Sequence, residues 1–294
     1  MNKKIAFLTS ALLATSLMSC DSDSNDDSWT VYSRNMMVAI ADQSGKTEYT
    51  ATAAGYFINT KQPSLGRLAF VALNKPDGSG LSMPTCSNMV VEALSESQGY
   101  MFRTGMQTQF TGFVNDIPMS VSSKLSGRIW TSSQTTNASV SMTFSNGTQL
   151  AGFGGDLSFY TYATVTDSEN PSEQLSTSDE SSNIVRIVMN PSTTERTADI
   201  CIYNVCLSKN DTQKFNMMMD DVPFDIDATD GTITFRTAET TPYKLINDIK
   251  GELLNAYKIT DMECMLTVGF DGICDLNFTC GDRYKFTAML TESL

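Results

Sequence analysis

Three aspartates in the run DIDATDG, Asp225, Asp227 and Asp230, come nearest by type and spacing to a chemical site. Residues two apart on a strand point to the same face. Asp225 and Asp227 would then project together, and a turn at Asp230-Gly231 could bring the third carboxylate round to them. Calcium takes about six to eight oxygen ligands, so an ion held here would also draw on Asp220, Asp221 or backbone carbonyls. The spacing is not that of an EF-hand loop. A solvated strand face followed by a turn is the plainer reading of the same residues.

The chain contains no histidine. That removes serine–histidine and cysteine–histidine nucleophile pairs and histidine-ligated zinc centres. Two carboxylates about 5–10 Å apart could cleave a glycosidic bond, but nothing in the sequence marks such a pair. Gly45-Lys46-Thr47 matches the end of a phosphate-binding loop. Ile40 stands where that pattern needs its first glycine, and a threonine-rich strand follows instead of a helix. A hairpin turn is expected there. Catalysis is not expected, and calcium is the one cofactor considered.

Flat aromatic faces suit the apolar faces of pyranose rings. Trp130, Tyr160, Tyr162 and Tyr243 are the ligand-binding candidates, with Trp29 and Tyr257 as further aromatics. The same residues packed in β cores would be ordinary. Trp130 is the best candidate for exposure, because the polar run TSSQTT follows it. Met36-Met37 and Met217-Met218-Met219 read as core filling, or as an adaptable apolar lining. Apart from Cys20 the cysteines are Cys86, Cys201, Cys206, Cys264, Cys274 and Cys280. An even number permits disulfides, but apolar neighbours, as in DICIYNVC, favour buried thiols.

The elements that must position these residues are strands. Short runs rich in Val, Ile, Thr, Tyr and Phe alternate with Gly, Asn, Asp, Pro and Ser, which predicts an all-β chain of antiparallel strands. Strands are expected over 35–42, 47–58, 67–73, 138–144, 156–165, 183–189, 198–207, 231–236, 261–268, 273–279 and 283–290. Turn residues lie at 44–46, 146–147, 271–272 and 281–282. One helix is expected, over 88–96. Residues 166–182, TDSENPSEQLSTSDESS, hold one large aliphatic side chain and read as an acidic linker or long loop. It separates a first β domain over 29–165 from a second over 183–294. The two halves echo each other: NMMVAIADQSGKTEYTATA against NIVRIVMNPSTTERTADIC, NDIPMSV against DDVPFDI, and GGDLSF against ICDLNF. The expectation is two related antiparallel β units, barrel or sandwich, in tandem.

The N-terminal run has two lysines, then apolar residues from Ile5 to Met18, then Ser19-Cys20. It is too short to span a bilayer and has the order of a secretory signal. Leu17-Met18-Ser19-Cys20 resembles a bacterial lipobox, departing from it at Met18. The resemblance implies a signal peptide over 1–19 and lipid attachment at Cys20. The acids Asp21, Asp23, Asp26 and Asp27, within a tether over 20–28, resemble the export tag of Bacteroidetes surface lipoproteins. The second half resembles repeating modules of uncharacterised Bacteroidetes lipoproteins, among them a calycin-like group, which implies barrels that hold small apolar ligands. A formal net charge of −13 would repel nucleic acid. The expected protein is therefore a lipid-anchored outer-membrane lipoprotein on the cell surface. It would bind a glycan, a small apolar ligand or a host protein, without catalysis. The alternative is a structural adhesin or fimbria-like subunit that assembles through β-strand edges.

Overall fold

Strands account for nearly all of the described chain, because one side of almost every run alternates apolar with polar residues and so has a face to bury. A computed structural model describes residues 28–71, 85–94, 99–111, 113–114, 117–118, 121–131, 136–145, 147–172, 174–177, 184–190, 195–207, 214–267 and 274–292. The signal peptide, Cys20 and the acidic tag lie outside the described residues. The chain divides into two compact units, the first ending at Gly155 and the second beginning at Asp156.

The first unit contains β1 (Trp29–Ala41), β2 (Thr47–Asn59), β3 (Leu65–Val71), β4 (Thr85–Leu94) and β5 (Gly99–Arg103). The short strands β6 (Gln109–Thr111), β7 (Phe113–Val114) and β8 (Ile117–Pro118) follow. Then come β9 (Val121–Thr131), β10 (Thr136–Phe144) and β11 (Gln149–Gly154). Eight of them pair in chain order, and β11 returns to pair with β1, so the sheet closes into an up-and-down barrel. Its interior is filled by Met36, Tyr56, Phe70, Met89, Phe102 and Phe144, among others, none more than 1% exposed. Eight strands make an interior just wide enough for side chains to fill. The Tyr56 hydroxyl, inside this core, donates to the Ser139 carbonyl at 2.7 Å.

The second unit contains β12 (Asp156–Asp167), β13 (Gln174–Thr177), β14 (Ile184–Met189), β15 (Thr197–Val205), β16 (Phe215–Asp227) and β17 (Thr232–Thr240). It continues with β18 (Tyr243–Ile246), β19 (Ile249–Leu253), a 3-10 turn at Asn255–Tyr257, β20 (Ile259–Thr267), β21 (Asp275–Cys280) and β22 (Tyr284–Glu292). Again eight strands pair in chain order, and β22 returns to β12. The hairpin β18–β19 is added to the wall. It lies beside β16 at Met217 and Met218, on the edge that β17 occupies further along. Phe159, Met217, Met219, Phe235, Phe278 and Phe286 are buried, and Phe278 stacks on Phe286 at 4.6 Å.

Three expectations change here. The helix expected over 88–96 is strand as far as Leu94: Met89 and Val91 alternate inward, and Asn88 takes a φ of +56° at an irregularity in the β3–β4 ladder. The units do not divide at 166–182. Val165 is buried, and β12 runs on to Asp167 because β22 pairs with it along that length. Part of the acidic stretch is itself strand, β13, paired to β12. The Arg283 guanidinium clasps its start, donating to both Asp167 oxygens at 2.7 and 2.6 Å and meeting Glu169 at 2.8 Å. That pairing holds the Asp167 carboxyl below its ordinary value.

Closure of the first barrel runs through Gly66, where a Cβ would collide with Val91 and Phe102. Overpacking a core commonly costs about 1–3 kcal/mol, so Gly66→Val should lower the unfolding free energy obtained from urea titration by that amount, read by tryptophan fluorescence. Gly45→Ala, which meets no neighbouring atom but keeps the φ of +82°, should cost less, about 1 kcal/mol.

Candidate functional site

Alternation on β12 puts Leu157, Phe159, Ala163 and Val165 inside the second barrel and leaves Tyr160 and Tyr162 on its outer face. Ladder register carries that outer face across the neighbouring strands. Tyr162 is level with Met289 of β22. Tyr160 is level with Ile184 of β14, which is level with Tyr203 of β15. Tyr162 is 45% and Met289 56% exposed. Adjacent strands lie about 4.8 Å apart and residues two apart along a strand about 7 Å apart, so these side chains tile one surface.

Hydrogen-bonding groups rim the surface. Arg186, level with Ser158, meets Asp156 at 2.8 Å. The Tyr203 hydroxyl donates to Asp248 at 2.8 Å. Burial first, then Asp248, pushes the Tyr203 phenol up to about 12. An apolar aromatic floor with a charged, hydrogen-bonding rim can take a ring that has one flat apolar face and polar edges.

The next row leads to the added hairpin. Arg186, Cys201, Met218 and Tyr243 are level on β14, β15, β16 and β18. Leu245 covers Cys201 and Met218. Tyr243 carries the Lys250 ammonium 4.0 Å from its ring centre, so its face is already occupied.

One row further, a β-bulge sets Asp199 against two residues, Asp220 and Asp221. The extra residue changes which positions face inward, from Met217 and Met219 before it to Val222, Phe224 and Ile226 after it. Asp221 absorbs the irregularity with a φ of +50°. The three carboxylates approach within 4.8 Å of one another. Lys250 pairs with Asp220, and the Asp221 N–H donates to Asp199 at 3.1 Å. Burial, with the neighbouring acids, raises the Asp199 carboxyl above its ordinary value.

The cation-site candidates are not the residues that converge. Asp225 meets Arg196 at 3.1 Å, Asp227 accepts from the Thr229 N–H at 2.8 Å, and Asp230 from the Thr232 N–H at 2.8 Å. They serve an ion pair and a turn. Of the ligand-binding candidates, Tyr160, Tyr162 and Tyr243 share the outer face of the second barrel. Trp130 lies on β9 of the first, level with Gly99 and Asn137, and its side chain lies outside the described residues. Gly45-Lys46 is a hairpin turn in which Asp42 accepts from the Ser44 and Lys46 N–H groups. None of the six cysteines described is in a disulfide, and five of them are buried. Burial pushes Cys86 and Cys280 up to about 12 and Cys201 up to about 11.

Sequence reasoning missed Asp199, Tyr203, Arg186 and the hairpin. The phase change from Met217 and Met219 to Val222 and Phe224 was the available signal for the bulge. No family model matches the chain, and no curated protein and no solved structure matches it.

A carboxyl whose folded value is raised contributes stability below its unfolded value, and that contribution is lost as pH rises through the folded value. Asp199→Asn keeps the acceptor for the Asp221 N–H and removes the charge. It should raise the urea midpoint near neutral pH, and remove the loss of stability that Asp199 contributes as pH rises above the ordinary carboxyl value.

Proposed function

We propose that this chain is a non-catalytic glycan-binding protein of the bacterial cell envelope, held to the outer membrane by lipid at Cys20 and displayed on the cell surface. The observation that carries the binding assignment is the outward tyrosine face of the second barrel. Tyr160 and Tyr162 lie there in register with Ile184, Tyr203 and Met289, with Arg186, Asp156 and Asp248 at the rim. Exposed apolar surface of this kind on a soluble barrel commonly marks an interaction site. The order of the strands supports the resemblance to calycin-type barrels. The side chains that fill both interiors favour a ligand on the outer wall over a small apolar molecule inside. The lipobox-like Leu17-Met18-Ser19-Cys20 and the acids after it support the anchor and its outward display.

A glycan array, followed by calorimetric titration of the best hit, tests the face. Tyr162→Ala should weaken binding about tenfold, or about 1.4 kcal/mol, with an unchanged fold. Thr287→Ala on the neighbouring strand should leave it intact. An array without a binder, or a Tyr162→Ala chain that binds as tightly as the native one, removes the glycan reading.

Protease added to intact cells tests the display. The chain should be lost while a periplasmic control survives, and Cys20→Ala should release it from the membrane fraction. Protection of the chain would place it facing the periplasm.

A structural subunit that assembles through strand edges is the second reading. One specific feature favours it: β19 ends the ordered path of strands in the second unit with only β18 as its partner among the described residues.

A further inference from the structure

Across the outer wall of the second barrel, the level that carries Tyr162 continues through Met289 of β22 to Asp275 of β21. Met265 of β20 is level with Asp275 on its other side. Asp275 is thus a carboxylate set between two methionines. Its Oδ1 is shielded from solvent and has no hydrogen-bond partner among the described residues. A shielded carboxylate oxygen without a donor is costly, and buried polar atoms are normally satisfied. Methionine is unbranched and flexible, and Met289 is 56% exposed. A ligand that settles on the tyrosine face can turn it aside and supply the missing donor.

Charge points to the class of that ligand. At the levels of Tyr160, Tyr162 and Arg186, the described residues of β12, β14, β15, β21 and β22 include one cation, Arg186 itself. Its guanidinium is already paired with Asp156 at 2.8 Å. Asp248 accepts from the Tyr203 hydroxyl, a neutral donor, and Asp275 stands between thioethers. Two carboxylates with no ion pair among the described residues therefore remain at the edges of the face. In a chain of formal net charge −13 they add to a field that repels anions. Sugar hydroxyls, by contrast, are donors, and a carboxylate accepts from them more strongly than a neutral oxygen does.

We propose that the tyrosine face takes an uncharged glycan, and that Asp275 selects it by accepting hydroxyls of the sugar next to the one stacked on Tyr162. This rests on the glycan reading above and adds to it a ligand class and a specificity residue. Tyr162 and Asp275 are two strands apart, about 10 Å. That exceeds the width of one pyranose ring, so the two residues serve neighbouring sugars of a chain lying across the strands, with Met289 beneath the link. A uronic acid or a sulfated sugar would bring its own anion against Asp275, with Arg186 already committed to Asp156.

The test starts from an array of neutral and acidic oligosaccharides. The best neutral binder, and the same oligosaccharide oxidised at C6 to the uronic acid, are then titrated calorimetrically into the native chain. The oxidised form should bind at least about tenfold more weakly at low salt, and added salt should narrow the gap by screening. Asp275→Ala should weaken binding of the neutral form about tenfold. Asp275→Asn keeps the shape and removes the charge, so it should narrow the gap between the neutral and oxidised forms. Circular dichroism and melting confirm that both variants stay folded. An oxidised form that binds as tightly as the neutral one, or an array whose binders are all acidic, overturns the ligand class and leaves the glycan reading standing. An Asp275→Ala chain that binds like the native one, or an Asp275→Asn chain with an unchanged gap, overturns the role of Asp275. An array with no binder of either kind removes the glycan reading, and this inference with it.

Discussion

A sheet that returns on itself leaves its strands no free edge and gives its side chains only two places to go, the interior or the outer wall. In both units that closure decides the rest. Eight strands are too few to enclose much more than their own inward side chains, and here those are large: Tyr56, Phe70, Phe102 and Phe144 in the first barrel, Phe159, Phe235, Phe278 and Phe286 in the second. With the interior filled by the chain itself, the surfaces left open to any ligand are the outer wall and the elements added to it. The tyrosines of β12 and the hairpin β18–β19 are those two cases. The first is a face that alternation must expose. The second is an edge that the ring does not need.

The bulge at Asp220-Asp221 links the two. Without its extra residue, β16 could not present Met217 and Met219 inward at one end and Val222, Phe224 and Ile226 inward at the other. The bulge also gathers three carboxylates opposite β15, at a cost visible in the raised Asp199 carboxyl. Lys250 offsets part of that charge by reaching from β19 to Asp220, with its ammonium over Tyr243. The hairpin is thereby fixed to the wall at both its apolar and its charged contacts: Leu245 over Cys201 and Met218, Lys250 on Asp220. A bulge needed for register thus also supplies the carboxylate to which the added hairpin is tied.

Fold class was legible because β-branched and aromatic runs with period two can bury only one face. The eleven expected strands fall on observed ones. Those missed have identifiable reasons. β11, QLAGFG, lacks side chains to show a pattern because Gly152 and Gly154 lie too close to β1 for a Cβ. The strand at 85–94 carries Glu92, Ala93 and Leu94, which favour helices in isolation, and tertiary pairing overrode that preference. The acidic stretch after Asp167 has almost nothing to bury, and its order comes from Arg283, 116 residues away along the chain from Asp167. The outer-face tyrosines could be named from residue type, but their company could not. Ile184, Tyr203 and Met289 reach them only through register, which sequence spacing does not encode.

The echo between the halves is instructive for the same reason. Both units trace eight strands in the same simple order, so an order-preserving correspondence sets β1 against β12 and β2 against β14. The sequence echo instead sets β1, with NMMVAIAD, against β14, with NIVRIVMN. That is a shift of one strand, and in an up-and-down ring a one-strand shift reverses direction along the barrel axis. The later echo of GGDLSF with ICDLNF sets β12, the first ring strand of the second unit, against β21, a late one of the same unit, so the echoes share no common offset. What they report is the alphabet that any alternating strand and tight turn must draw on. The likeness of the two units lies in their topology, which closure of eight antiparallel strands in chain order is sufficient to produce.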